Sequence, residues 1–194
     1  MNENGLKLER FHKFSPKMLR NLIFLGLIGI CLGANCPAWP NNTDTQKNWW
    51  PCSSGPVIFS DVNQTDCNGN YEYPIHLAKP LLIVTQADNQ GHVYSSPGLK
   101  QTINFWEWND STCTWTAMPT FGLLKNLDAC TNGVKCPIQL GKQTLTFELD
   151  FSDVESIIKM LKDDWPYQLQ YILHDDPTGD QMCLMFQARA YVTN

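Results

Sequence analysis

The sequence lacks the motifs that mark most enzymes. Its 194 residues contain no G-x-S-x-G elbow, no P-loop, no G-x-G-x-x-G fingerprint and no H-E-x-x-H pair. Their absence removes the usual serine-hydrolase, nucleotide-binding and zinc-protease patterns. No C-x-x-C pair occurs, so zinc ribbons and thioredoxin-type redox centres have no ligand spacing to use. No Lys/Arg run follows Arg20, and phosphate contacts are built from Lys and Arg, so nucleic acid is a poor match. Gly and Pro stand at 12 each, too few for a collagen-like or low-complexity chain. No repeat recurs at a period of about 20–50 residues, which excludes solenoids and propellers. After Leu32 no apolar run approaches the ~20 residues that span a bilayer.

What is present begins with an address. Lys17-Met18-Leu19-Arg20 precedes a nearly unbroken apolar run from Leu22 to Leu32, followed by Gly33 and Ala34. That order is the positive, apolar, small-residue grammar of a secretory signal peptide, which is assigned to residues 1–34. Met18 onward also reads as a complete signal. Residues 1–34 hold five basic and two acidic residues; the remainder hold nine basic and 17 acidic, a balance of −8. The mature chain is therefore acidic. Residues 35–48, polar with Pro37 and Pro40, read as a loose leader, and residues 49–194 as the folded domain.

Secretion agrees with two further features. Asn41, Asn63 and Asn109 each begin an N-x-[ST] acceptor for N-glycosylation. Beyond Cys31, inside the signal, stand Cys36, Cys52, Cys67, Cys113, Cys130, Cys136 and Cys183. In an oxidising compartment these read as disulfides. Seven is odd, so one thiol is left over, and Cys36, next to the new N-terminus, is the expected one.

The mature chain alternates short apolar segments with turn chemistry. Strands are expected at Val57 to Val62, Ile75 to Leu77, Leu81 to Ala87, Leu99 to Trp108 and Thr112 to Thr116. The clearest period of two runs from Gln143 to Phe151, where Leu145, Phe147, Leu149 and Phe151 oppose Thr144, Thr146, Glu148 and Asp150. Tyr167, Leu169, Tyr171 and Leu173 form a second such face. Asp175 to Asp180 then turns the chain into a last strand, Met182 to Val192. About seven short strands with regular turns predict an all-β sandwich. One segment breaks the rhythm. Ser152 and Glu155 have capping-box spacing, and Val154, Ile157, Ile158 and Leu161 make one apolar helical stripe. A short helix near 153–162 follows, its stripe serving either as core over the sandwich end or as an apolar lid.

Cys130 to Cys136 closes a short loop around Asn132-Gly133 and leads through Pro137 to Gly141. Pro166-Tyr167, Asp175 and Cys183 follow. This arrangement resembles the ML family of secreted lipid-recognition domains, over roughly Trp50 to Val192. The stretch Ser95 to Lys100 looks more like the ganglioside activator branch. The resemblance implies an immunoglobulin-like sandwich of two antiparallel sheets, splayed to hold a lipid between their inner faces. It also implies a Cys52–Cys183 and a Cys130–Cys136 disulfide. The chain departs from the family pattern at Cys67, where no second cysteine follows closely; Cys113 is the best remaining partner.

Candidates for the lipid-lining surface are Leu82, Val84, Ile103, Phe105, Leu145, Phe147, Leu149, Leu169, Tyr171, Leu173 and Phe186. Phe121, Leu123 and Leu124 would form one rim, and Ile157, Ile158, Leu161 and Trp165 the other. Each of these positions serves equally well as ordinary core. Trp49, Trp50, Trp106, Trp108 and Trp115 are candidate interfacial anchors, with Trp106 and Trp108 on one outward face. His174-Asp175-Asp176 is read as the polar end of a strand rather than a metal site, because carboxylates and Pro-Gly chemistry are what turns use. The leading expectation is a secreted or lysosomal carrier of a sterol, glycolipid or fatty-acyl lipid. It would need no cofactor or metal and no catalytic residue. It would touch membranes transiently and present its lipid to a hydrolase or receptor. The rival expectation is a receptor-binding or adhesion module with a filled core.

Overall fold

The computed structural model describes residues 35–193. The signal segment read in residues 1–34, with Cys31, lies outside the described residues. The described chain is a β-sandwich of ten strands and one short helix. In chain order these are β1 (Asn48–Pro51), β2 (Val57–Thr65), β3 (Ile75–His76), β4 (Leu81–Asn89), β5 (Leu99–Asn109), β6 (Thr114–Ala117), β7 (Leu127–Asp128), β8 (Gly141–Leu149), α1 (Glu155–Ile158), β9 (Trp165–Asp175) and β10 (Gln181–Tyr191). The larger sheet runs β1-β10-β9-β5-β6, with β3 beside β10 and β7 beside β5; the smaller runs β2-β4-β8. All pairings are antiparallel except the two-residue contact of β3 with β10. Two of the strands, β1 and β7, lie outside the segments expected from the sequence because they are too short to show a period.

Alternation builds the core. In β8, Leu145, Phe147 and Leu149 are buried while Thr144, Thr146 and Glu148 are not. In β9, Tyr167, Leu169, Tyr171 and Leu173 are buried between half-buried Gln168 and Gln170. These faces meet across the sandwich, where Phe147 and Tyr171 have ring centroids 4.8 Å apart. Phe105 stacks on Tyr167 at 5.2 Å. Such ring pairs add stabilisation beyond their buried area.

In β4 the inward face is Leu81, Ile83, Thr85 and Ala87, and the named candidates Leu82 and Val84 lie on the opposite, half-buried face. The run Leu81-Leu82-Ile83-Val84 is apolar at both parities, so its pattern does not choose a face. The choice is made by the register with β8, which sets Ile83 against Phe147 and Leu82 against Glu148.

Residues 36–47 are not a loose leader. They cross the outer face of the larger sheet. The Trp108 Nε1 donates to the Pro37 carbonyl at 2.8 Å, Asn41 Nδ2 donates to Gln187 Oε1 at 2.8 Å, and the Arg189 guanidinium lies 4.7 Å over the Trp39 ring. This covering explains why β10 is buried at nearly every position. It also buries Trp108, which shares the outward face of β5 with Trp106 but lies covered there by the strap.

The strap decides the disulfides. Cys36 is delivered to the β5–β6 turn and bonds Cys113. Cys67 is exposed and free, in the turn after β2 of the smaller sheet. The expected Cys67–Cys113 pair is thus replaced, because those two cysteines belong to turns of different sheets. Cys52 bonds Cys183, and Cys130 bonds Cys136.

The helical segment is shorter than expected. A 3-10 turn, Ser152–Val154, leads into a single turn of α1. The capping box does not form: Glu155 pairs with Lys159 at 2.9 Å, and Asp150 Oδ1 accepts the Ser152 N–H. The stripe itself, Val154, Ile157, Ile158 and Leu161, is buried over the end of the sandwich.

Candidate functional site

Between the sheets lies a small void walled entirely by apolar side chains. Leu81 and Leu149 come from the smaller sheet, Phe105, Tyr167, Leu169, Phe186 and Ala188 from the larger, and Ile75, Leu77 and Phe151 close it. Its volume is about 20 Å³, room for a single water-sized probe. The splayed, open gap expected from the family resemblance is therefore closed in this structure. Side chains of β5, β8, β9 and β10 interdigitate across it.

Two surface clefts converge on this void. The first, about 460 Å³, runs between β5 and the end of β8 and is lined by Ile103, Leu123, Leu124, Leu127, Leu149, Phe151 and Val154, with Gln101 and Asn132 on one wall. The second, about 780 Å³, is lined by Leu77, Phe151, Glu155, Ile158, Lys159, Leu161 and Val192. The first shares Leu149 and Phe151 with the void; the second shares Leu77 and Phe151 with it. Phe151, only 5% exposed, lines all three spaces, and the 152–161 segment lies between the two clefts.

The wall of the first cleft is fixed by the Cys130–Cys136 loop. Gly133 has φ +106°, and a Cβ there would sit 2.1 Å from the Glu148 carbonyl oxygen. Only glycine permits this backbone approach. It lets Glu148 N–H donate to the Gly133 carbonyl at 2.9 Å. Behind the wall, Tyr171 OH donates to Gln101 Oε1 at 2.6 Å, and Gln101 Nε2 donates to the Asn132 carbonyl at 2.9 Å. Burial pushes the Tyr171 phenol far above its ordinary range. Burial, and then the neighbouring Glu107 charge, does the same to Tyr167. The inner aromatic face consequently stays neutral at any physiological pH. Glu148, Asp150 and Asp153 also border the first cleft, and all three are exposed.

The candidate lining residues separate into five groups. Phe105, Leu149, Leu169 and Phe186 wall the void, and Ile103, Leu123, Leu124 and Leu149 the first cleft. Ile158 and Leu161 line the second cleft. Leu145, Phe147, Ile157, Tyr171 and Leu173 are buried without lining any of these spaces. Phe121 stands 73% exposed on the loop beyond Leu123, and Leu82 and Val84 face away. Ile75, Leu77, Leu81, Phe151, Tyr167 and Ala188 wall the void without having been among the candidates. For Phe151 and Tyr167 the strand period already carried the signal, since each continues an inward-facing row. His174 sits 3.7 Å from Asp176 at an exposed turn.

Fold and site together define a disulfide-stapled β-sandwich with an apolar interior sealed at one end by a short helical segment. Neither a protein-family model nor a curated protein matches the sequence. Among solved structures, the chain is similar to a Niemann-Pick type C2 protein from Japanese carpenter ant, at 14% identity and TM-score 0.44, covering 74% of this chain and 98% of that one. It is also similar to the C-terminal domain of wzt, at 8% identity and TM-score 0.40, covering 81% of this chain and 83% of that one. Overlaps this shallow carry no weight on what the chain binds.

Proposed function

We propose that the protein is a secreted or lysosomal lipid-binding protein that admits an apolar ligand between its two sheets through the end sealed by residues 151–161. One observation carries this reading: the all-apolar void meets two surface clefts through Phe151, beneath a segment only one helical turn long. A ligand pocket occupies about 300–1,000 Å³, so binding requires Phe151 and the 152–161 segment to move. Burial of hydrocarbon, at ~0.8 kcal/mol per methylene, supplies the driving force from water. From a membrane most of that gain cancels, which suits exchange between bilayer and protein. Exposed Phe121, Leu123 and Met160 offer apolar tips for transient membrane contact. The same route would serve delivery to a hydrolase or receptor.

A second reading, a receptor-facing module with a filled core, is favoured by the size of the void, about 20 Å³. Organic extraction of the purified mature protein, followed by mass spectrometry, separates the two. The carrier yields near-stoichiometric lipid, or takes it up from liposomes after delipidation. A protein that releases none and takes up none is the filled-core module.

A further inference from the structure

The end of β8 gives the first cleft an apolar floor and an acidic rim. Alternation buries Leu149 and Phe151 and leaves Glu148 and Asp150 exposed beside them. Asp153, also exposed, follows in the 3-10 turn. All five residues line the cleft, and no lysine, arginine or histidine does. Among the described residues, none of the three carboxylates takes part in an ion pair. Nor does any group of three acidic, histidine or cysteine side chains there stand ready to hold a metal ion. An uncompensated acidic rim that does not chelate suits an organic cation and repels an anionic head group.

The opposite wall supplies a donor. Gln101 lines the cleft and is only 4% exposed. Its Oε1 accepts from the Tyr171 hydroxyl, and its Nε2 gives one hydrogen to the Asn132 carbonyl. An amide nitrogen carries two hydrogens, and the second has no partner among the described residues. A buried donor with a hydrogen to spare favours a ligand that brings an oxygen to it. The cleft, about 460 Å³, falls within the size range of ligand pockets. Through Leu149 and Phe151 it borders the inter-sheet void, where a hydrocarbon tail would go.

We infer that the first cleft is the head-group subsite of the lipid site and selects a long-chain amino alcohol. The protonated amine sits among Glu148, Asp150 and Asp153, and a hydroxyl oxygen accepts from Gln101 Nε2. This rests on the carrier reading above and narrows it to a class of ligand. The apolar floor alone discriminates weakly between tails of similar size, so the polar wall sets the choice.

The test offers delipidated mature protein four probes, each in phosphatidylcholine vesicles. They are 2-aminooctadecane-1,3-diol, its N-acetyl derivative, its phosphate monoester and octadecylamine. Probe retained after gel filtration is read by mass spectrometry. The amino diol should be held about fivefold or more tightly than the N-acetyl derivative, which keeps the hydroxyls and loses the charge. The phosphate ester should be held more weakly still, and octadecylamine about threefold more weakly than the amino diol. The double variant Glu148→Gln with Asp153→Asn should bring the amino diol and its N-acetyl derivative within about twofold while holding both. Asp44→Asn with Asp61→Asn removes the same charge outside the cleft and should leave the preference in place.

Equal retention of the amino diol and its N-acetyl derivative by the unmodified protein overturns the inference and leaves the carrier reading intact. Equal loss of preference in both double variants also overturns it, since the attraction then belongs to the whole acidic surface. Octadecylamine held as tightly as the amino diol overturns the role of Gln101. Should the unmodified protein retain no probe and yield no lipid on extraction, the carrier reading falls, and this inference with it. The comparison among probes within the unmodified protein stands even if a variant fails to fold.

Discussion

Single residues set the polar economy of this interior. The Tyr171–Gln101 bond joins two residues each 4% exposed. Tyr171→Phe removes the donor and leaves Gln101 Oε1 buried, which should cost about 1–3 kcal/mol in urea unfolding; an unchanged midpoint would show the pair to be dispensable. At the surface, four aspartates are held below the usual carboxylate range by donors. Asp66 is held chiefly by the Asn70 amide and Asp128 by the Ser96 hydroxyl. Asp163 is held chiefly by the Val192 N–H, and Asp180 by His92 and then Tyr94. A depressed carboxylate stabilises the fold above its unfolded value and ceases to do so as pH falls through its folded one. Thermal melting should therefore be flat from about pH 7 to 5 with respect to these groups and decline below about pH 4. A decline already complete by pH 5 would point to other groups. In the opposite direction, burial raises the Tyr94 phenol to about 12. Its neutral form supports the fold up to the ordinary phenol range, and that support is lost as pH rises toward 12.

Among the elements, the segment between β8 and β9 matters most to the proposed function. It was expected to run as a helix near 153–162, yet it makes a 3-10 turn and one α-helical turn. An isolated turn of helix has little stability of its own, so its place depends on the buried stripe. Phe151 is the hinge point between void and clefts. Phe151→Ala should destabilise the protein by about 3–5 kcal/mol through the cavity it leaves. It should also speed ligand exchange with liposomes, measured by stopped-flow transfer of a fluorescent lipid. If exchange is unchanged while stability falls, Phe151 is core and not a gate. The strap of residues 36–47 is an element of another kind. It has no strand of its own before β1, but the Cys36–Cys113 bond, over a separation of 77 residues, ties it across the larger sheet. By the chain-entropy model a closure of that length contributes about 4–5 kcal/mol.

At the scale of the whole molecule, the acceptor asparagines lie on three separate parts of the surface. Asn41 is in the strap, Asn63 in β2 and Asn109 at the end of β5. If all three are occupied, enzymatic deglycosylation of the protein expressed in a glycosylating cell should lower its mass in three steps, each removed by Asn→Gln at one site. A mass equal to the unmodified mature chain would exclude the modification. The acidic balance of residues 35–194, −8, is spread over a surface that exposes Phe121 and Leu123 on the 119–126 loop and Met160 beside α1, and elsewhere Trp50, Ile58, Tyr71, Val93 and Leu140.

The sequence alone carried the class of fold. The alternation in β8 and in the first half of β9 marked the inward faces, because Leu145, Phe147, Leu149 and Leu169 have polar neighbours on both sides in sequence. It also carried the apolar stripe 154–161, since a 3.6-residue period is visible in one short window. The tertiary structure decided what local pattern leaves degenerate. Leu81 to Val84 is apolar at both parities, so only pairing with β8 chose Leu81 and Ile83. Cys113 was expected to pair with Cys67 and Cys36 to be left over; the strap across Trp108 brought Cys36 to Cys113 and left Cys67 free. The closing of the void depends on how side chains from four strands interdigitate. These are relations between residues far apart in the chain, set by packing and register, and no single segment contains them.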